Sequence, residues 1–150
     1  MRRMGWAMAL VALLAASPVQ AFDPSGVDII GLRLGMQAGE VASCLGHQGY
    51  KPTLTATAIT ADTRDGQLMV VLSAERGATE IRYVFRGRAA GESTQIPASV
   101  LNRFGEPDQA EPPTWCRAVS PERTCPSTQP TLTFLPGSLT LILRGQAARP

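Results

Sequence analysis

Cys44 and His47 are the residues of this 150-residue sequence whose types and spacing come closest to a catalytic pair. Three positions apart on a helix, they would share one face and place an imidazole beside a thiol, as a nucleophilic cysteine requires. Cys44, however, adjoins Leu45 on the apolar side of the expected helix, where a free cysteine is usually buried and inert. We therefore expect a buried structural thiol, and a cysteine-dependent enzyme is the less favoured alternative.

Other catalytic and metal-binding patterns find less support. His47 is the only histidine, so its pair with Cys44 is two ligands short of a zinc site. The sequence contains no G-x-S-x-G elbow, no phosphate-binding glycine loop, no calcium loop and no haem motif. Carboxylates gather at expected strand turns, where solvated turn residues are the ordinary case: Asp62, Asp65, Glu75 and Glu80. We expect a protein that is not an enzyme and that has no catalytic residue, metal or cofactor.

The first 21 residues have the pattern of a secretory signal peptide. Arg2 and Arg3 precede an apolar run at 8–16, and Val19-Gln20-Ala21 matches a small-residue cleavage site. The apolar run has roughly half of the 20 or so residues that a membrane span needs, and no cysteine directly follows the cleavage site to carry a lipid. We expect cleavage after Ala21, a periplasmic or secreted domain at 22–150, and neither a membrane span nor a lipid anchor.

The charge of the chain argues against nucleic acid and anionic lipid as partners. The whole sequence has 14 Lys+Arg and 12 Asp+Glu, but two of the arginines, Arg2 and Arg3, belong to the leader. The remaining chain is balanced, with the two signs interleaved and no basic block. It therefore lacks the electrostatic footprint of a nucleic-acid-binding or membrane-surface protein.

Cys116 and Cys125 are predicted to form a disulfide. They are nine residues apart, with prolines nearby at Pro121 and Pro126, a spacing that closes a loop between an outgoing and a returning segment. The spacing suits neither a C-x-x-C redox motif nor a zinc site. A disulfide also fits the oxidising compartment to which a signal peptide leads.

The segment 35–50 carries the signals of both ends of a helix. With Gln37 as N-cap, Glu40 stands at the third helical position, as in a capping box. Gly49 and Tyr50 would form a Schellman ending with a contact back to Leu45. These signals predict a helix at about 38–48.

Two segments with alternating apolar residues, Thr53 to Thr60 and Glu80 to Arg86, predict strands with one solvated face. Between them, Gln67 to Ser73 is apolar on both faces and is predicted to be a central strand. Asp65-Gly66 and Arg76-Gly77 supply the turns.

The second half repeats this order. Pro97 to Gly105 predicts a short helix with proline at its first position, and strands follow around Trp115, at Leu132 to Phe134 and at Leu139 to Leu143. The halves are about 60 residues apart, which suggests an αβββ unit present twice. We expect a single α+β domain in which two helices pack on one face of an antiparallel sheet of five or six strands.

The residues Ile30-Gly31-Leu32-Arg33-Leu34-Gly35-Met36, with Glu40-Val41, Leu45 and Gly49-Tyr50, resemble the G-x-x-x-G-M-[ST]-x-x-E-V-x-x-x-L opening of small secreted bacterial domains. These are the BamE/SmpA/OmlA-type domains and the β-lactamase inhibitor protein (BLIP) group, and the segment 101–107 is similar to their helix ending. The resemblance covers residues 30–50 and 101–107. It implies helices on one face of an antiparallel sheet whose other face or rim binds a protein.

Arginine and aromatic residues, the side chains most often found as interface anchors, suggest where a partner could bind. Arg82, Arg86 and Arg88 lie on or after the third expected strand, and Trp115 lies on an expected edge. Burial statistics favour another interpretation, in which Tyr83, Phe85 and Trp115 belong to the core and the arginines form an ordinary solvated face. The favoured function is non-catalytic binding of another envelope or secreted protein through the open sheet face. A small-ligand carrier with a cleft between helices and sheet is the alternative.

Overall fold

A computed structural model describes residues 22–86 and 95–146. The expected signal peptide at 1–21 and the candidate binding residue Arg88 lie outside these ranges. Two α-helices and seven strands occur in the described ranges, in this order: α1 Ala38–His47, β1 Thr53–Leu54, β2 Ala58–Asp62, β3 Gly66–Ser73, β4 Gly77–Phe85, α2 Ala98–Phe104, β5 Thr114–Cys116, β6 Thr131–Leu135 and β7 Thr140–Arg144. None of the helices in these ranges is long and apolar enough to cross a membrane.

The strands form one antiparallel sheet in the order β1-β2-β3-β4-β7-β6-β5. The sheet has seven strands, one more than the upper end of the expected five or six. The additional strand is β1, because the segment Thr53 to Thr60 forms a hairpin and not one strand. The Thr55 hydroxyl accepts from the Ala58 amide at 3.0 Å and donates to its carbonyl at 3.1 Å. These two hydrogen bonds stabilise a turn at 55–58, although the alternation of apolar residues there predicts a continuous strand.

The core lies on one face of the sheet. Its register places one residue from each of six strands in a single buried row: Ile59, Val70, Ile81, Leu143, Leu132 and Trp115. Val41 and Leu45 of α1 and Val100 of α2 belong to the same buried cluster. The two helices therefore cover this face, which confirms an α+β arrangement.

The ends of α1 follow the sequence signals closely. Glu40 accepts from the Gln37 amide at 2.7 Å, and Gly49 adopts a φ of +83° so that the Tyr50 amide reaches the Leu45 carbonyl at 3.0 Å. These are the capping bond and the Schellman bond expected there. In α2, Pro97 is the N-cap and not the first helical residue, and Gly105 ends the helix with a φ of +75°.

The lead into α1 is fastened to the start of β4. The Gly35 amide bonds the Ala78 carbonyl, and the Ala78 amide bonds the Met36 carbonyl, both at 2.8 Å. Gly77 comes so close that a Cβ there would lie 2.5 Å from the Gly35 oxygen, and its φ is +67°. Only glycine satisfies both conditions.

Cys116 and Cys125 form the expected disulfide, with their Cα atoms 5.8 Å apart. The bond joins the end of β5 to the connection between β5 and β6. Residues of the connection before β5 lie along its free edge, where Gln109 pairs with Thr114 and the Cys116 amide donates to Asp108 at 2.9 Å. The two connections on either side of β5, residues 105–113 and 117–130, are together called the disulfide-closed segment. The disulfide agrees with an oxidising compartment outside the cytoplasm.

Candidate functional site: the open face of the sheet

The face of the sheet opposite the helices is called the open face here, and Arg82 stands at its centre. Register places Met69 of β3 and Ile142 of β7 directly beside Arg82. Glu80 and Val84 lie two residues away on β4 and therefore point to the same side. A cationic side chain is thus surrounded by three apolar residues and one carboxylate.

Glu80 holds two arginines in place on this face. Its carboxylate accepts a hydrogen bond from the Nε of Arg144 at 2.7 Å and another from the Nε of Arg82. Burial of the Glu80 side chain, which is 12% exposed, acts to raise its pKa, but the hydrogen bonds from Arg144 and Arg82 outweigh burial and leave the pKa below its usual value. Arg144 pairs with Glu80 from a strand 64 residues later, and no local motif in the sequence marks it.

We call Met69, Arg82, Val84 and Arg86 the arginine patch. Met69 is 40% exposed and Val84 39% exposed, although both lie on strands that have neighbours on both sides. Arg86 is exposed and makes an ion pair with Asp62 at 3.2 Å, with both side chains more than half exposed. The structure therefore brings together two of the three arginines expected from the sequence and adds two apolar residues.

Trp115 does not belong to this surface. It is fully buried on the helix side of β5, packs against Phe104, and its Nε1 donates to the Gly105 carbonyl at 3.0 Å. Its assignment to a partner-binding surface was wrong, because the side chain faces the core and its one polar atom already has a partner. Tyr83 is likewise a core residue, with its hydroxyl 2.9 Å from that of Thr63.

A groove of about 510 Å³ occupies the other half of the open face. Its floor is made by β6 and β7, and its wall by the disulfide-closed segment, with these residues around it: Gln109, Pro112, Thr114, Cys125, Ser127, Gln129, Thr131, Thr133, Leu135, Ile142, Arg144 and Gly145. This recess lies on the sheet side away from the helices, whereas the carrier alternative placed a cleft between helices and sheet. A smaller cleft of about 260 Å³ does lie on the helix side, beside Tyr83 and Phe104.

The side chains of Cys44 and His47 each contact a residue four positions away in the chain. The Nδ1 of His47 lies 2.8 Å from the Ser43 carbonyl, so this nitrogen is bound to the helix backbone. The Cys44 sulfur contacts the side-chain amide of Gln48 at 3.4 Å, and the residue is half-buried against the core rather than fully buried as expected.

Two residues of the open face, Met69 and Arg144, were not identified from the sequence. Met69 was part of a run expected to be apolar on both faces, and Arg144 lies at the end of the last strand without a motif. Within residues 22–86 and 95–146, no cluster of three or more His, Cys, Asp and Glu could hold a metal ion.

Comparison with known proteins adds no relative to this description: the chain matches no protein-family model, no curated protein and no solved structure.

Proposed function

We propose that the protein is a non-catalytic binding module that recognises another envelope or secreted protein through the arginine patch. The observation that carries the proposal is the exposure of Met69 and Val84 on two neighbouring interior strands, beside Arg82 and Arg86. Methionine, arginine and adjoining apolar side chains are the composition of the buried centre of protein interfaces. Burial of the two apolar side chains supplies affinity, and the arginines supply specificity.

The charges of the patch favour a partner that carries carboxylates. In the described ranges the Arg86 guanidinium makes an exposed ion pair with Asp62, and such pairs contribute about 0–1 kcal/mol. Exchange of Asp62 for a partner's carboxylate therefore costs little. Arg82, Arg144 and Glu80 together carry one net positive charge, which also favours an acidic partner.

The resemblance of residues 30–50 and 101–107 to BamE/SmpA/OmlA-type and BLIP-group domains leads to the same proposal, since it implies protein binding by a sheet face or rim. The order of elements also supports an αβββ unit present twice. From the boundary between β4 and β7, the strands run outward as β4-β3-β2 on one side and as β7-β6-β5 on the other, which is the same order in both halves. Val41 and Leu45 in α1 have the same four-residue spacing as Val100 and Phe104 in α2.

Site-specific crosslinking tests the proposal. The chain from Phe22 to Pro150 is made with a photo-crosslinking amino acid at position 69 or 84 and incubated with envelope extract of the native host. Control proteins carry the same amino acid at Leu54 or Val119, which are 55% and 40% exposed and lie away from the patch. We expect one protein to be crosslinked from positions 69 and 84 but not from 54 and 119.

The captured protein is then purified and its affinity measured against the double variant Arg82→Ala/Arg86→Ala. Loss of two central arginines should weaken binding about 30-fold or more, the effect of a hot-spot residue. Equal crosslinking from all four positions, no crosslinked protein, or an unchanged affinity of the double variant contradicts the proposal.

A further inference from the structure

The groove supports an inference that goes beyond protein binding at the arginine patch. Its floor runs along β6 from Thr131 to Leu135, four residue steps or about 13 Å at the rise of a strand. Its volume of about 510 Å³ lies in the range of small-ligand sites.

The two ends of the groove differ in polarity. At one end Thr131 is directly opposite Arg144, and at the other end lies Leu135. Between them Ile142 forms an apolar stretch of floor that is 8% exposed. A ligand lying along the floor would therefore meet a cationic, hydroxyl-bearing end and an apolar end.

Arg144 is the one charged residue among those that line the groove. Glu80 engages its guanidinium through Nε, which leaves the two terminal nitrogens to donate elsewhere, and the side chain is 58% exposed. Two parallel N–H donors of a guanidinium match the two oxygens of a carboxylate. No acidic residue lines the groove in the described part of the chain. The Glu80 carboxylate that binds Arg144 is shared with Arg82, so these three groups keep one net positive charge beside the groove.

The wall of the groove is fixed before any ligand arrives. The side-chain Oε1 of Gln109 accepts from the Cys125 amide at 2.9 Å. The side chain of Gln129 accepts from the Ala118 amide and donates to the Ala118 carbonyl. With the disulfide, these bonds hold the segment against β5. A preformed site spares a ligand the entropic cost of ordering a loop.

We propose that the groove is a second binding site, which takes a small organic carboxylate with its apolar part over Ile142 and Leu135 and its carboxylate on the guanidinium of Arg144. The same chemistry is offered by a free aliphatic acid and by the C-terminus of a peptide with an apolar last residue. The two sites meet at Glu80, which binds both Arg82 and Arg144. No residue of the arginine patch lines the groove, so either proposal can fail without the other.

Hexanoate and its uncharged counterpart hexanamide are the first probes. Titration into the wild-type chain from Phe22 to Pro150, followed by backbone and methyl NMR shifts, should move the signals of Thr131, Thr133 and Ile142. We expect hexanoate to bind about tenfold more tightly than hexanamide, the effect of one charge-assisted contact. Equal affinities, shifts away from the groove or no binding overturn the proposal without recourse to any variant.

Matched arginine variants locate the carboxylate. Arg144→Gln should abolish the preference for hexanoate over hexanamide, Arg144→Lys should keep part of it, and Arg86→Gln, on the same face but outside the groove, should leave it unchanged. Loss of the preference in Arg86→Gln, or its survival in Arg144→Gln, overturns the assignment.

A peptide pair then identifies the source of the carboxylate. N-acetyl-Val-Val-Leu with a free C-terminus is compared with the same peptide ending in an amide. If the peptide acid binds more tightly than hexanoate, the natural ligand is a chain terminus. If hexanoate binds more tightly, the natural ligand is a free acid. In both cases the peptide acid must bind more tightly than the peptide amide.

Discussion

Arg144 and Glu80 occupy directly opposed positions on β7 and β4, and the Nε of Arg144 donates to the Glu80 carboxylate at 2.7 Å. Arg82, two residues from Glu80, donates to the other oxygen of the same carboxylate. One acid thus orients the arginine of the patch and the arginine of the groove. Its hydrogen bonds keep the pKa of Glu80 below the usual value despite burial.

Substitution Glu80→Gln should destabilise the protein by about 1–2 kcal/mol at pH 7, because two charge-assisted hydrogen bonds are weakened. A glutamate with a lowered folded pKa contributes stability above its unfolded pKa of about 4.3 and loses that contribution as the pH falls through the folded value. The difference in unfolding free energy between wild type and variant should therefore be full at pH 6–7 and shrink as the pH falls below about 4.

Urea unfolding between pH 3 and pH 7 measures this difference. Glu75→Gln, an exposed residue on the turn between β3 and β4, is the control and should change stability little at any pH. A Glu80→Gln difference that does not change with pH would show that the carboxylate is not the stabilising group.

Gly77→Ala should destabilise the protein by about 2 kcal/mol or more. The new Cβ meets the carbonyl oxygens of Gly35 and Met36 at 2.5 and 2.6 Å, and the φ of +67° is costly for alanine. Gly46→Ala, in α1 with open space around its Cα, should instead stabilise by about 0.5–1 kcal/mol. Thermal unfolding of the two variants should give shifts of opposite sign. A Gly77→Ala variant that is as stable as wild type would contradict the description of Gly77.

Trp115 should give the blue-shifted fluorescence of a buried indole, poorly quenched by acrylamide. It is the one tryptophan in the chain from Phe22 to Pro150, so the signal is unambiguous. Trp115→Phe should cost about 2–4 kcal/mol, because it removes core volume and leaves the Gly105 carbonyl without its partner. An emission maximum typical of exposed indole would contradict the burial of Trp115.

Replacement of Cys116 and Cys125 by serine should lower the free energy of unfolding by roughly 2.5–3 kcal/mol, the entropy of a loop with nine-residue separation. Cys44→Ser is the matched single change and should cost about 1 kcal/mol or less, since Cys44 is half-buried. Urea unfolding of both variants gives the comparison. A double variant as stable as wild type would mean that the segment is held by Gln109 and Gln129 alone.

Local signals gave the parts of the fold that depend on neighbouring residues. The capping bond at Glu40, the glycine ending at Gly49, the turn at Gly77 and the disulfide all follow from residues within ten positions of one another. The turn at Thr55 was not predicted, because a hydroxyl that bonds the Ala58 carbonyl leaves the alternation of apolar residues intact.

The site was harder to foresee, because it depends on which strands become neighbours. Arg144 reaches Glu80 only through the pairing of β7 with β4, and the groove combines residues of the disulfide-closed segment with residues of β6 and β7. Trp115 could be assigned to a surface or to the core from its type, and only the register of β5 against Leu132 places it inside.

The pairing of β4 with β7 also affects the order in which the strands are expected to pair during folding. In the described residues it is the one strand pair whose members are not consecutive in the chain, and it joins positions as far apart as Glu80 and Arg144. Every other pair in these residues joins strands that follow one another in the chain. We therefore expect the strands β1 to β4 and the strands β5 to β7 to pair first, and the pairing of β4 with β7 to be the slow step. Because the other pairs join consecutive strands, we expect a lower contact order than that of a Greek-key sheet of the same size.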